Sequence, residues 1–157
     1  MIPSLQAAIL SYLQNDTTLQ AYLASPASIS TKIAYAVLPP CYPSVILHVD
    51  SEPSDTRAGY LTNGVVDYNT TMAIHVYSRD EGAKIGGINY DAVSLQAAIV
   101  NRLGILCRNI STNPAIYAIA DIREPSFNSR PLPFEEDTHV HHTSCLFRFT
   151  YAVVESL

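Results

Sequence analysis

The sequence predicts an α+β protein of two layers, a mostly antiparallel sheet of about four to six strands packed against helices. Three observations carry that prediction. Apolar and polar residues alternate in Ser44 to Asp50, Thr70 to Ser78 and Cys145 to Val153, the period of half-buried strands. Apolar residues step by three and four through Ile88, Ala92, Leu95, Ile99, Leu103 and Leu106, the period of a long central helix. The strands follow one another without room for crossover helices, except across that helix, which favours antiparallel neighbours.

Taken in order, the first 24 residues predict a pair of short helices. Pro3 suits a first helical position, and Leu5, Ala8, Ile9, Tyr12 and Leu13 share one face. Asn15 and Asp16 interrupt, Asp16 can cap the next turn, and Leu19, Tyr22 and Leu23 form a second apolar stripe. Ser25 to Thr31 has the composition of a loop. Lys32 to Leu38 predicts a short strand, closed by Pro39, Pro40 and Pro43. The next strand places Val45, Leu47 and Val49 inward against Ile46 and His48. The one after it places Met72, Ile74 and Val76 inward against Thr71, Ala73, His75 and Tyr77. Between them Ser51 to Asn69 predicts a long loop, in which Asn63-Gly64 could turn a hairpin between Ala58–Thr62 and Val65–Tyr68. After a polar turn at Arg79–Gly82 comes the long helix, its face widened by Val93 and Val100 and its end set before Asn113-Pro114. Ala115 to Arg123 reads as a strand, and Glu124 to Asp137 as a second long loop with three prolines. The last strand turns Cys145, Phe147, Phe149, Tyr151 and Val153 to one side.

At 157 residues, with no internal repeat and no dividing linker, the chain is expected to form a single domain, 1–157, with long loops at 51–69 and 124–137. The 48% apolar content is globular, and 15% charge is too little for a disordered tail. A net charge of −5 argues against a protein that grips phosphate backbones. No apolar run is long enough to span a membrane. Met1-Ile2-Pro3-Ser4 shows no basic cluster or cleavage site, so no secretory signal is expected. Cys41, Cys107 and Cys145, odd in number and widely spaced, fit neither a disulfide framework nor a zinc motif and are expected as free thiols.

Catalytic and cofactor chemistry finds no footing. His139 and His141 would share a strand face and could reach a metal together with His48 or His75. No carboxylate or cysteine stands at ligand spacing around them, so His139, His141 and His142 are read as a polar strand end and no metal is expected. Glu135-Glu136-Asp137 sits in a Pro-rich loop, where adjacent acids are solvated or face a basic partner. Gly86-Gly87 with Lys84 lacks the P-loop spacing, and no nucleophile elbow occurs. Neither an enzyme nor a cofactor is predicted.

Aromatic and arginine side chains on loops are a different matter, since such residues make interface hot spots. Arg57, Tyr60 and Tyr68 fall in the first long loop, and Phe127, Arg130, Phe134, Glu135 and Glu136 in the second; these are the candidate interface residues. Tyr90 is grouped with them, in or beside the long loops.

The layout resembles the tail-terminator, or tail-completion, family of long-tailed bacteriophages. The resemblance runs in order through Leu5-Gln-Ala-Ala-Ile-Leu-Ser-Tyr-Leu, a polar break and Leu19-Gln-Ala-Tyr-Leu. It continues in a strand ending Val37-Leu38-Pro39 and in Tyr42-Pro43-Ser44-Val45-Ile46-Leu47. Ala73-Ile74-His75-Val76-Tyr77-Ser78, the long helix, a variable strand and Phe147-Arg148-Phe149-Thr150-Tyr151 complete it. It spans nearly the whole chain as a pattern of elements, without a signature motif, and the Pro-rich loop and histidine cluster depart from it. What it implies is a structural virion protein, assembled in the host cytoplasm, that closes as a homo-hexameric ring on the head-proximal end of the tail tube. Such a ring stops tube polymerisation and forms the head–tail joining surface. The implied partners are further copies of the chain, the tail tube protein and a head–tail connector or neck protein, with DNA passing through the lumen unbound and no membrane involved. Rival readings are a head-closure or neck connector protein and, more distantly, a small metal-dependent or ligand-binding α+β domain.

Overall fold

A computed structural model describes residues 3–23, 28–37, 41–55, 65–79, 82–110, 120–131 and 139–154. Helix α1, Pro3–Gln14, buries Leu5, Ile9 and Leu13, which recur every fourth residue. Helix α2, Thr17–Tyr22, starts where the Asp16 carboxylate accepts the backbone N–H of Leu19 at 2.7 Å, and it buries Leu19. Part of the expected loop is a single turn, α3, Ile29–Lys32, too short to show a period. Strand β1 is Ile33–Tyr35; Ala36, at φ +51°, ends it before the expected Val37, and Leu38 lies outside the described residues.

Strands β2, Ser44–Asp55, and β3, Val65–Arg79, are longer than their alternating cores. The proposed loop 51–69 is therefore corrected: 51–55 and 65–69 are strand, and 56–64, with the Ala58–Thr62 arm, lies outside the described residues. Residues 51–55 are polar apart from Pro53, with register shifts between Val49, Ser51 and Ser54, and in 65–69 the adjoining Val65 and Val66 interrupt the period of two.

The long helix starts later than its periodicity suggested. Ala83–Ile85 and Ile88–Tyr90 form a hairpin, β4–β5, whose turn is Gly86-Gly87 at φ +56° and +82°. Two successive positive φ values are what a tight hairpin turn requires, and glycine supplies them. Gly82, at φ +65°, closes the base of this hairpin: a Cβ there would lie 2.0 Å from the Tyr90 carbonyl oxygen. Ile88 is consequently on β5 and 59% exposed, not on the helix. Helix α4, Ala92–Ile110, begins after Asp91, whose carboxylate accepts the Ser94 N–H at 2.7 Å. Ala92, Leu95, Ile99, Leu103 and Leu106 are buried as expected, with Val100, and Ile110 is buried as well; Val93 instead points outward, 61% exposed.

The final pair corrects the second loop. Strand β6 is described over Ala120–Pro131: of the expected Ala115–Arg123 strand, 120–123 is strand and 115–119 lies outside the described residues, while 124–131 of the expected loop is strand and 132–137 lies outside the described residues. Strand β6 holds prolines because it is an edge strand, with a register shift between Arg123 and Ser126 that takes up Pro125. Strand β7, Val140–Val154, buries Cys145, Phe147 and Tyr151.

The five-stranded sheet has the order β1-β2-β3-β7-β6, with β1 parallel to β2 and every other pairing antiparallel. Helix α4 packs on β3, β7 and β6, while α1 packs on β1 and α2 on α4. Two buried polar contacts fix α4 to β3: Gln96 Nε2 donates to the Val76 carbonyl at 3.1 Å, and Ser78 Oγ to that of Ala92 at 3.2 Å. The predicted class, a mostly antiparallel sheet against an N-terminal helix pair and one long helix, is the class observed.

Candidate functional site

Of the candidate interface residues, three lie on described strands. Tyr68 on β3 stands opposite Asp55 and Tyr151, Phe127 on β6 opposite Phe147, and Arg130 on β6 opposite Ser144. Arg57, Tyr60, Phe134, Glu135 and Glu136 lie outside the described residues. By register, the strand ends that lead into 56–64 stand at one end of the sheet, beside Val154, and those leading into 132–138 at the other, beside Arg79. Tyr90 packs back on its own chain, edge to face with Tyr22 at 5.9 Å between centroids.

The histidines assemble differently from the expectation. Alternation along β2, β3 and β7 turns His48, His75, Tyr77 and His142 to the sheet face away from the helix-side core. They form a diagonal. His48 Nε2 lies 2.7 Å from His75 Nε2, His75 Nδ1 lies 2.8 Å from His142 Nε2, and Tyr77 stacks on His142 at 4.2 Å. The partner from β7 is therefore His142, not His139 and His141. His139 precedes the strand at φ +53°, and His141 alternates to the other face. The Asp91 carboxyl is held below its ordinary value chiefly by the Ser94 backbone N–H. His75 offers opposite ring nitrogens to its two neighbours, so the three rings line a relay and do not converge on one point as ligands of a single ion would. The signal for this group was in the sequence, at outward positions of three strands; what was missing was the pairing register.

Two other groups could not be read from the sequence. Asp16 caps α2 and also binds Arg102 of α4 through both carboxylate oxygens, Nε to Oδ1 at 3.0 Å and a second nitrogen to Oδ2. The Arg102 hydrogen bond is the main cause that holds the Asp16 carboxyl below its ordinary value. At the sheet's other side Lys32 is 2% exposed, and neither its Nζ nor the Oγ of Ser44 has a hydrogen-bond partner. Burial pushes the Lys32 ammonium below its ordinary value of 10.5, and Cys41 opposes this weakly. Lys32→Met should therefore stabilise the fold by about 1–3 kcal/mol, because it removes an uncompensated buried cation. The folded state binds this proton less well than the unfolded one. The parent should thus gain stability as pH rises toward 10.5, and urea midpoints of parent and variant should converge there.

Cys107 and Cys145 are buried, and burial pushes the Cys107 thiol far up, away from thiolate chemistry. No described helix is long and apolar enough to cross a membrane.

No family model matches the chain, and no curated protein matches it. A solved chain described as "Virion of native gene transfer agent (GTA) particle" is similar to it, with a TM-score of 0.55 at 15% identity. The match covers 94% of this chain and 93% of the other, so the two share one fold over nearly their whole lengths.

Proposed function

We propose that this chain is a structural, non-enzymatic subunit of a phage-like virion. More finely, it closes into a homo-hexameric ring on the head-proximal end of a tail tube, ends tube polymerisation and presents the surface that joins tail to head. The observation that carries this reading is the likeness in fold, over 94% of the chain, to a chain of a gene transfer agent virion. The order of elements, which resembles the tail-terminator family from Leu5 to Tyr151, supports it independently. The partners on this reading are further copies of the chain, the tail tube protein and a connector or neck protein. A charge of −5 suits a lumen through which DNA slides without being gripped.

A head-to-tail ring needs two different surfaces on each subunit. The segments 56–64 and 132–138 meet that need, because the strand ends leading to them stand at opposite ends of the sheet. Arg57, Tyr60 and Tyr68 belong to one surface, and Phe134, Glu135 and Glu136, with Phe127 and Arg130 on the strand before them, to the other. Phe134 supplies the aromatic anchor, and the two acids select a basic neighbour and fix register.

Sedimentation tests this directly. The parent should reach six times the 17.2 kDa of one chain and limit the length of tubes grown from tail tube protein. Phe134→Ala should weaken assembly by about 2 kcal/mol with the subunit still folded, and Glu135→Lys with Glu136→Lys should make it strongly salt-sensitive. A parent that stays monomeric at every concentration and leaves tube length unchanged refutes the ring. Unaltered assembly of all three substitutions would move the contact elsewhere.

A further inference from the structure

We propose that the imidazole diagonal His48–His75–His142 is an acid-sensitive clasp across the three inner strands of the sheet, able to hold only one added proton. The argument is a count of hydrogens. Three imidazoles have six ring nitrogens, and each nitrogen-to-nitrogen contact holds one hydrogen between its two members. The contacts at 2.7 and 2.8 Å engage four of those nitrogens and hold two hydrogens. The outer Nδ1 atoms of His48 and His142 can each bear one more. Four hydrogens are then the limit, and three neutral rings already carry three.

The neutral arrangement has one consistent sense. His48 Nδ1 lies 3.3 Å from the Val49 carbonyl, which can only accept, so that nitrogen bears the hydrogen. His75 then donates from Nε2 to His48, and His142 donates from Nε2 to His75. A first added proton is accommodated by His75 as an imidazolium donating both ways. A second sets donor against donor in a contact under 3 Å, and the contact must open.

Facing the diagonal are Ser44 and Ile46 from β2, Thr71 and Tyr77 from β3, and Ser144 and Leu146 from β7. Among the described residues, the charged positions of that face nearest the diagonal are Arg148, opposite Thr71, Arg130 of β6, opposite Ser144, and Arg79, whose guanidinium lies 4.9 Å from the Tyr42 ring centroid, and all three oppose added positive charge. Asp50, next along β2, is the extra residue of the bulge between Val49 and Ser51. His141 alternates to the other face of β7.

The test is proton-resolved nitrogen spectroscopy of the ¹⁵N-labelled protein between pH 8 and 4.5. At pH 8 His48 should show the Nδ1–H tautomer and His75 and His142 the Nε2–H tautomer. On acidification the three rings should take up one proton as a coupled group. The remaining two should bind only at lower pH, together with amide shifts in β2, β3 and β7. Urea unfolding gives the linked readout. Between pH 6 and 5 the unfolding constant should rise up to roughly 100-fold per pH unit beyond that of His75→Phe, the equivalent of about two protons. Should His75→Phe fail to fold, His142→Gln alone leaves a pair that still holds one added proton, and the excess should halve on a logarithmic scale. Three independent titrations within a few tenths of 6.5, with strand amides unmoved, overturn the clasp.

Discussion

Phe147→Ala should lower the unfolding free energy by about 3–5 kcal/mol, a large share of the roughly 5–15 kcal/mol that holds a domain of this size together. Phe147 is fully buried on β7, between Met72 of β3 and the Phe127 position of β6 in register, on the face covered by the helices. Removing its ring strips contacts from an inner strand and leaves a void that β7, held by backbone ladders to β3 and β6, cannot close by shifting. Phe147→Leu keeps most of the volume and should cost less than about 2 kcal/mol. The chain has no tryptophan, so circular dichroism against urea is the natural measurement. Equal losses for the two variants would show that packing at this position does not depend on volume.

Asp16→Ala should cost about 2–3 kcal/mol, because one substitution removes two different supports. The cap on the Leu19 N–H accounts for about 1 kcal/mol. The Arg102 pair contributes the rest, since its carboxylate is only 10% exposed and the guanidinium 28%. The pH dependence has a definite sign. The folded Asp16 carboxyl titrates below 3.8, so the pair's contribution is complete above that value and is lost as pH falls through the folded value. Asp16→Asn keeps a capping oxygen but loses the charge, and its stability should lack this acid-dependent loss. A parent and Asp16→Asn with parallel profiles between pH 5 and 2 would remove the ion pair from the account.

How much of this was legible in the sequence follows from which residues face the core. Leu5, Ile9 and Leu13, the Val45–Leu47 pair, the Met72–Ile74–Val76 set and Leu95 to Leu106 were readable because each has one buried face, and burial writes periodicity into the chain. The strand extensions at 51–55 and 124–131 were not, because polar residues, prolines and register shifts stand where alternation would be, and 65–69 was not, because Val65 and Val66 adjoin. The β4–β5 hairpin was hidden by Ile88, which continues the helical spacing of Ala92 and Leu95 by coincidence while Gly86-Gly87 sets the turn. For the candidate site the limit was different. His48, His75 and His142 come together only through pairing across 94 residues of chain, and Asp16 meets Arg102 across 86. No local pattern encodes such a meeting.

Strand β7 follows every other element along the chain yet lies between β3 and β6 in the sheet. During synthesis, therefore, everything up to β6 leaves the ribosome with no inner strand to join its two halves. Strands β2 and β3 can pair antiparallel, with β1 parallel beside β2, and α4 can condense on them, but β6 has no strand to pair with until β7 arrives. The energetic reward for ordering the sheet is concentrated in this final insertion, after the largest loop closures have been made. A nascent chain stalled before Val140 exposes two unfilled edges, one on β3 and one on β6, each a template for the β7 of another copy. Cells making many copies at once thus face a race between self-completion and strand exchange, and rapid passage through the last strand decides it.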